Sequence, residues 1–356
     1  MLYIAETSLD YLTGYSIHVM KSVDNIYKVK KTAKLYVPKF RLKKNKLKKR
    51  YNLYNLNHIE IIQSVFYNYN FFLFRMFFGF QSALYAKKNL NKTILTRSIW
   101  SSIFMVLFNV QHILEIHNIS KGVAGFILIK LNIINSKIIK KVVVINYELV
   151  KYLSLKKKKF IVLPDAVDLR NFNIKKRKKF TKENILYYGS FFKGRGLSLI
   201  FQIADHFKDI KFTLIGGSKK FMDIRNKNKN IKLFKQVDYS KIPKILKQFD
   251  FVLMPYETKV YVNSRNLDTS EYMSPLKMFE ALAMGNIILS SNFKILKKVL
   301  KNNYNSLIVK KNTSLEWIKL IESLKKKNNF QKISNNAIKT AKFYSWENRV
   351  TKILKL

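Results

Sequence analysis

Twice along this chain, short apolar runs alternate with helical segments, and one stretch having neither separates the two series. In the first series Leu2–Ala5, Lys92–Thr96, His112–His117, Lys141–Ile145 and Phe160–Leu163 read as strands. Helical stretches begin at Tyr15 and cover Ser98–Phe108, Gly122–Asn135 and Asn146–Leu153. Such alternation predicts an α/β chain whose parallel strands are covered on both faces. Pro164 to Lys182, rich in charge and lacking apolar runs, reads as a linker. The second series runs from strand Ile185–Tyr188 through a glycine turn to helix Leu197–Phe207, strand Lys211–Ile215 and Gly216-Gly217. Strands Ile231–Phe234, Phe251–Met254 and Ile287–Ser290 follow, with helices over Ser240–Gln248 and Pro275–Met284. Periodicity does not decide Lys28–Ala86. A length of 356 residues fits two domains at roughly 100–200 each. Two doubly wound halves should form a cleft and bind ligands at the carboxyl ends of their strands. Neither half carries G-x-G-x-x-G, which disfavours a dinucleotide redox cofactor.

Composition narrows the classes further. With 48% hydrophobic residues there is material for a core, which excludes a disordered basic tail. No cysteine is present, so a disulfide scaffold, a thiolate zinc site and a cysteine nucleophile are excluded. Five scattered histidines lack ligand-type spacing, and no metal is expected. The N-terminus has no signal-peptide pattern, and Phe71–Phe80, split by Arg75, is too short to span a bilayer. These features predict a cytoplasmic chain, at most peripheral on a membrane. Its formal charge is +47, and Lys28–Arg50 holds twelve Lys/Arg and no acid. Lys156–Lys159 and Lys175–Lys179 are further basic runs. Such a surface attracts polyanions, whether anionic lipid, phosphorylated substrate or nucleic acid. The plainer reading is a general inflation of Lys, Asn and Ile.

The densest chemical signal is Ser274 to Gly285, SPLKMFEALAMG. Ser274 suits an N-cap, Pro275 the first helical position and Gly285 the stop. Free N–H groups at Leu276 and Lys277, with the Lys277 charge, would make an anion site. Glu280, one turn on, could accept from both hydroxyls of a ribose. The plainer alternative is a capped helix with Lys277 and Glu280 solvated. A second signal, Tyr188-Gly189-Ser190-Phe191-Phe192-Lys193-Gly194-Arg195-Gly196, is a glycine turn at a strand end with two cations that could grip phosphate.

The order of these elements resembles the retaining, nucleotide-sugar-dependent glycosyltransferases of the group 1 (family 4) type, with the GT-B fold of two Rossmann-like domains whose parallel sheets face each other across a cleft. Leu163–Asp168 resembles that family's entry to its second domain, Tyr188–Gly194 its Y-x-G…K-G turn, and Ser274–Gly285 its S-P-L-K-x-x-E signature. Asn305–Val309 and Tyr344–Glu347 resemble its N-G-x-L-V strand and the S-W-E opening the last helix. The similarity covers about residues 160–356 in register. Two positions depart: Tyr272 stands where the family often has an acid, and Ser190 where many members carry Arg, leaving Lys193 and Arg195 to hold phosphate. In the first half Thr13-Gly14 resembles the family's glycine turn, with Gly14 at the donor, and His117 its histidine near the transferred sugar. Thr96-Arg97-Ser98 and Glu115–Asn118 should face the cleft. His117 could instead be a hydrogen-bonded structural residue, and His18 is read as a helix residue facing solvent.

The resemblance implies an acceptor-binding domain over 1–165 and a nucleotide-sugar-binding domain over 166–344, with a last helix of about 345–356 packing back on the first. It implies hexose transfer from UDP- or GDP-sugar with retention, without metal or other cofactor, to a glycan or lipid-linked acceptor of cell-surface polysaccharide. His117, Lys193 and Lys277 would be catalytic; Gly14, Gly189, Ser190, Arg195, Ser274, Pro275, Leu276 and Glu280 would bind the donor. An anionic membrane surface would be a further partner. Two rivals remain open: an epimerase or phosphorylase on the same fold, and a nucleic-acid-binding protein using the charge.

Overall fold

A computed structural model describes all residues except 68–70, 120–121, 175–176, 178–179, 218–227, 263–266 and 327. It divides into two compact units, Met1–Asp165 with Trp346–Leu356, and Ala166–Ser345. Of the basic run Lys175–Lys179, all but Arg177 lies outside the described residues.

The first unit begins with β1 (Leu2–Ile4), whose three residues are all buried, as a strand covered on both faces requires. Helix α1 (Gly14–Lys30) starts where Thr13 accepts from the Ser16 N–H while the Ser16 side chain returns to the Thr13 N–H. Lys31, at φ +57, ends it. The region that periodicity left unread holds β2 (Lys34–Lys39), α2 (Lys44–Tyr51), β3 (Glu60–Tyr67) and α3 (Phe72–Lys87). Then come β4 (Ile94–Thr96), α4 (Ile99–Leu107), β5 (His112–Ile116), α5 (Val123–Lys130), β6 (Ile139–Val144), α6 (Tyr147–Tyr152) and β7 (Phe160–Val162). The seven strands form one parallel sheet in the order β3-β2-β1-β4-β5-β6-β7. The expected helix to Asn135 is shorter: α5 stops at Lys130 and a 3₁₀ turn covers Ile133–Asn135.

The second unit contains β8 (Asn184–Tyr188), α7 (Leu197–His206), β9 (Lys211–Gly217), β10 (Ile231–Lys235), α8 (Ile242–Gln248) and β11 (Phe251–Met254). A short antiparallel pair, β12 (Tyr261–Val262) and β13 (Leu267–Asp268), precedes α9 (Leu276–Ala283), β14 (Ile287–Ser290), β15 (Ser306–Ile308), α10 (Ser314–Lys326) and α11 (Phe330–Phe343). Its sheet is parallel, in the order β10-β9-β8-β11-β14-β15. Ile185, Phe212, Phe251, Ile287, Trp317 and Ile333 lie in its core.

The segment after Pro164 is more than a linker. Phe172 is fully buried, and the buried Arg177 donates to Asp250 Oδ1 at 2.6 Å and to the carbonyls of Leu246 and Met284. Its charge conceals this, because the buried guanidinium has a carboxylate partner. The final helix, α12 (Trp346–Leu354), belongs to the first unit, with Val350 and Ile353 in that core. No helix among the described residues is long and apolar enough to cross a membrane.

Candidate active site

In the second unit the strand-end turns are sealed backbone to backbone. Gly189, at φ +132, donates its N–H to the Ile215 carbonyl at 2.9 Å, and a Cβ on Gly216 would stand 2.0 Å from the Gly189 oxygen. Gly194 and Gly196 have φ of +82 and +77, and a side chain at either would collide with the Lys259 or Pro255 carbonyl at 1.9 Å. Only glycine fits such approaches. Arg195, carried between them, lies with its guanidinium 5.3 Å from the Tyr256 ring centre. Its Nη2 donates to the Tyr261 carbonyl at 3.3 Å, while its buried Nε has no hydrogen-bond partner among the described residues.

Lys277 meets Arg195 from α9. Its Nζ is 4.4 Å from the centre of the Tyr187 ring, 5.0 Å from that of Tyr256 and 3.3 Å from where a Gly189 Cβ would be. Burial, then the Arg195 charge, hold the Lys277 ammonium well below its usual range, against the pull of Glu280. Among the described residues neither cation has an ion-pair partner. Lys193 is different: it is exposed, 5.6 Å above the Tyr261 ring. Half-buried Ser190 offers its carbonyl to the Tyr187 hydroxyl at 2.8 Å.

The helix start differs from expectation by one residue. Pro275, at ψ 118, is the N-cap and Leu276 opens α9, with no side-chain cap. Ser274, biased to extended backbone by the following proline, lies one position too early. The positive end and its first free N–H groups, at Leu276 and Lys277, stay where the sequence put them. Gly285, at φ +63, follows the C-cap Met284. Glu280 is 3% exposed and accepts from the Tyr188 hydroxyl at 3.2 Å. Tyr188 also donates to the Lys277 carbonyl at 2.8 Å. The alternative of a solvated Glu280 therefore falls, while Lys277 is half-buried.

In the first unit the carboxyl ends of the strands gather a charged cluster. Glu115 Oε1 lies 2.9 Å from His117 Nε2, 3.0 Å from His18 Nε2 and 2.5 Å from Arg349 Nη2, and its Oε2 accepts from Tyr3 at 3.0 Å. Burial alone would raise the Glu115 carboxyl, but Arg349 and the histidines hold it well below the usual range. His18 Nδ1 is 2.7 Å from Asp165 Oδ1. Burial first, then Arg97, push His117 down to about 3, which makes it a neutral imidazole. His18, 1% exposed, is thus the hub of this cluster, not the solvent-facing residue expected of it. Its partners come from sequence-distant segments, so spacing could not reveal it. Arg349 and Trp346, whose ring is 4.7 Å from His18, were missed for the same reason. His18, His117 and Asp165 bring ligand-type atoms within 4.8 Å of one another. The Arg349 guanidinium on Glu115 makes the spot poor for a second cation. Gly14 opens α1, with no atom within 4 Å of the place a Cβ would take.

Residues 170–342 match the family model described as glycosyl transferases group 1. No curated protein matches the chain in sequence. Among solved structures, a glycosyltransferase of Rickettsia africae superposes with TM-score 0.72 at 15% identity, over 99% of this chain and 97% of that one. HepE of Anabaena, in complex with UDP-glucose, gives 0.71 at 12% identity over 100% and 99%. The lipopolysaccharide outer core galactosyltransferase WaaB gives 0.64 at 11% over 99% and 98%. These likenesses establish the GT-B fold.

Proposed function

From the match of residues 170–342 to the group 1 glycosyltransferases, we propose that the chain is a glycosyltransferase that moves a hexose from a UDP- or GDP-sugar to a glycan or lipid-linked acceptor with retained configuration. One observation carries the reading: Lys277 and Arg195 share the Tyr256 face beside the Gly189 turn and the start of α9, with no carboxylate paired to either among the described residues. Two half-buried cations and a helix start suit a diphosphate. Cleavage adds negative charge to the leaving oxygen, and fixed cations are strongest where water is excluded. That would make a metal unnecessary. Glu280 is assigned to the ribose and neutral His117 to the transferred hexose. Gly189, Ser190, Ser274, Pro275 and Leu276 would line the donor side of the second unit, and Gly14 would contact the donor by analogy with the family's glycine turn.

UDP is the better-supported base, since HepE carries UDP-glucose. A cell-surface glycan is supported by the WaaB likeness and by the basic, aromatic first unit, which suits an acceptor at an anionic membrane. The test is a screen of UDP- and GDP-sugars for hydrolysis, with thermal melting in UDP and GDP. Turnover of one donor, and a raised melting temperature with its nucleotide, is the expected result. If no nucleotide changes the melting temperature, the donor assignment fails.

A further inference from the structure

Among the described residues, the carboxylates at the carboxyl edge of the first sheet are engaged. Glu6 takes Arg75 and accepts from Ser98 Oγ at 2.9 Å, and Glu115 and Asp165 are held by the histidine cluster. Donors are left over instead. Arg97, the residue after β4, stacks its guanidinium 3.9 Å from the Tyr15 ring centre, and its buried Nη1 has no hydrogen-bond partner among the described residues. The corner is braced: the Arg97 N–H donates to the Ile4 carbonyl at 2.9 Å and Tyr15 donates its hydroxyl to the Arg97 carbonyl at 3.3 Å. Two strands along, after β6, Asn146 is buried, its Oδ1 spent on the Leu149 N–H at 3.1 Å and its Nδ2 likewise without a partner. Buried donors without acceptors are rare enough to need a reason. An edge with its acids paired and a guanidinium to spare favours an oxyanion.

We propose that the Arg97–Tyr15 corner binds an oxyanion carried by the acceptor, so that the acceptor is a phosphorylated or acidic saccharide and not a neutral one. This rests on the glycosyl-transfer reading only in calling the ligand the acceptor. Tyr15 lies against the guanidinium, Nη1 offers an N–H that no described residue uses, and Asn146 supplies a further donor along the same edge.

The full chain, saturated with UDP, is melted in glucose, glucose 6-phosphate and glucuronate, alongside Arg97→Gln and Arg97→Lys. At least one of the two acidic sugars should raise the melting temperature beyond UDP alone, and glucose should not; which acid works separates phosphate from carboxylate. Arg97→Gln should lose that increment while keeping the UDP increment and its own baseline melting. Arg97→Lys, which keeps the charge without the planar fork, should fall between. An acid increment that survives in Arg97→Gln, or no increment in the parent chain, overturns the proposal. Loss of the UDP increment in Arg97→Gln would assign Arg97 to the donor and overturn it equally. If UDP itself has no effect while the acid increment still depends on Arg97, the donor reading fails and this one stands.

Discussion

Lys193 and Arg195 are two residues apart, yet the fold treats them oppositely. The glycines flanking Arg195 are pressed on carbonyls of residues 255 and 259, which turns Arg195 toward Tyr256 and Lys277, while Lys193 stays exposed. Turnover at saturating donor should then fall on the order of 10²-fold in Lys277→Ala and in Arg195→Ala, as for loss of a preorganised donor. Lys193→Ala should change it little; the reverse ranking in steady-state kinetics would restore the sequence-based assignment. Glu280→Gln keeps an acceptor for Tyr188 but removes the charge, and calorimetric nucleotide affinity should drop by about 1–3 kcal/mol. Unchanged affinity would detach Glu280 from the ribose. His112 gives a pH test. It accepts from Ser102 Oγ at 2.7 Å, faces the Val110 carbonyl at 2.9 Å, and burial lowers it to about 4. Because the folded value is below the unfolded one of about 6.5, the unfolded chain binds the extra proton. The stabilisation is complete above pH 6.5 and is lost as pH falls toward 4, on the order of 3 kcal/mol. Denaturation midpoints in His112→Asn should slope less over that window than in the parent chain; equal slopes would mean the imidazole is not responsible.

Among elements, α3 explains why one stretch of sequence stayed silent. Its inward face is Phe78, Gly79, Ser82, Ala83 and Ala86, whereas Phe72, Leu73, Phe77, Phe80 and Leu84 are exposed. A helix that hides mostly small residues, with Phe78 the exception, and shows large apolar ones has no readable apolar stripe. The inversion follows from close approach to α4: a Cβ on Gly79 would lie 2.5 Å from Trp100 Cβ. Gly79→Ala should therefore destabilise the first unit by about 1–3 kcal/mol through overpacking, measured by denaturant unfolding. The exposed aromatics share a unit with the basic segment of Lys28–Arg50, where Lys30, Lys31, Lys43, Lys44 and Lys46 are all exposed. Flotation with anionic vesicles should succeed at low salt, at about 1 kcal/mol per basic residue near the surface. Phe77→Ser with Phe80→Ser should weaken it while the chain still unfolds cooperatively. Indifference to anionic vesicles at low salt would leave the charge as compositional drift. Elsewhere the elements were legible because their signals are local, as in the helix beginning after Thr13-Gly14 and the glycine turn after β8. The Pro164–Lys182 segment misled because the Arg177–Asp250 pair looks, residue by residue, like surface charge.

At the scale of the whole molecule, the first unit is not continuous in sequence, and this set the limit on reading its site. His18 and Asp165 are 147 residues apart, Glu115 and Arg349 are 234 apart, and no spacing rule spans such distances. The second unit's candidate site is assembled mainly from one turn and one helix, so its segments could be located in the sequence, but not the exposure of Lys193, the cap at Pro275 or the Tyr187 and Tyr256 rings beside its cations. The same discontinuity makes the last helix a structural member of the unit that began 345 residues earlier. Trp346 is fully buried, Val350 and Ile353 are in the core, and Arg349 compensates Glu115 while donating to the Pro164 carbonyl at 2.9 Å. Losing a buried Trp costs about 3–5 kcal/mol, and stranding one partner of a buried ion pair costs a similar amount. Together these reach the ~5–15 kcal/mol that holds a typical domain. A chain ending at Ser345 should therefore lose its first unit's melting transition and amide protection over residues 1–165, while its second unit still folds and binds nucleotide. Scanning calorimetry with hydrogen exchange separates the cases. Two transitions in the shortened chain, with protection intact around Glu115, would show that the helix is an accessory to the first unit and not part of its core.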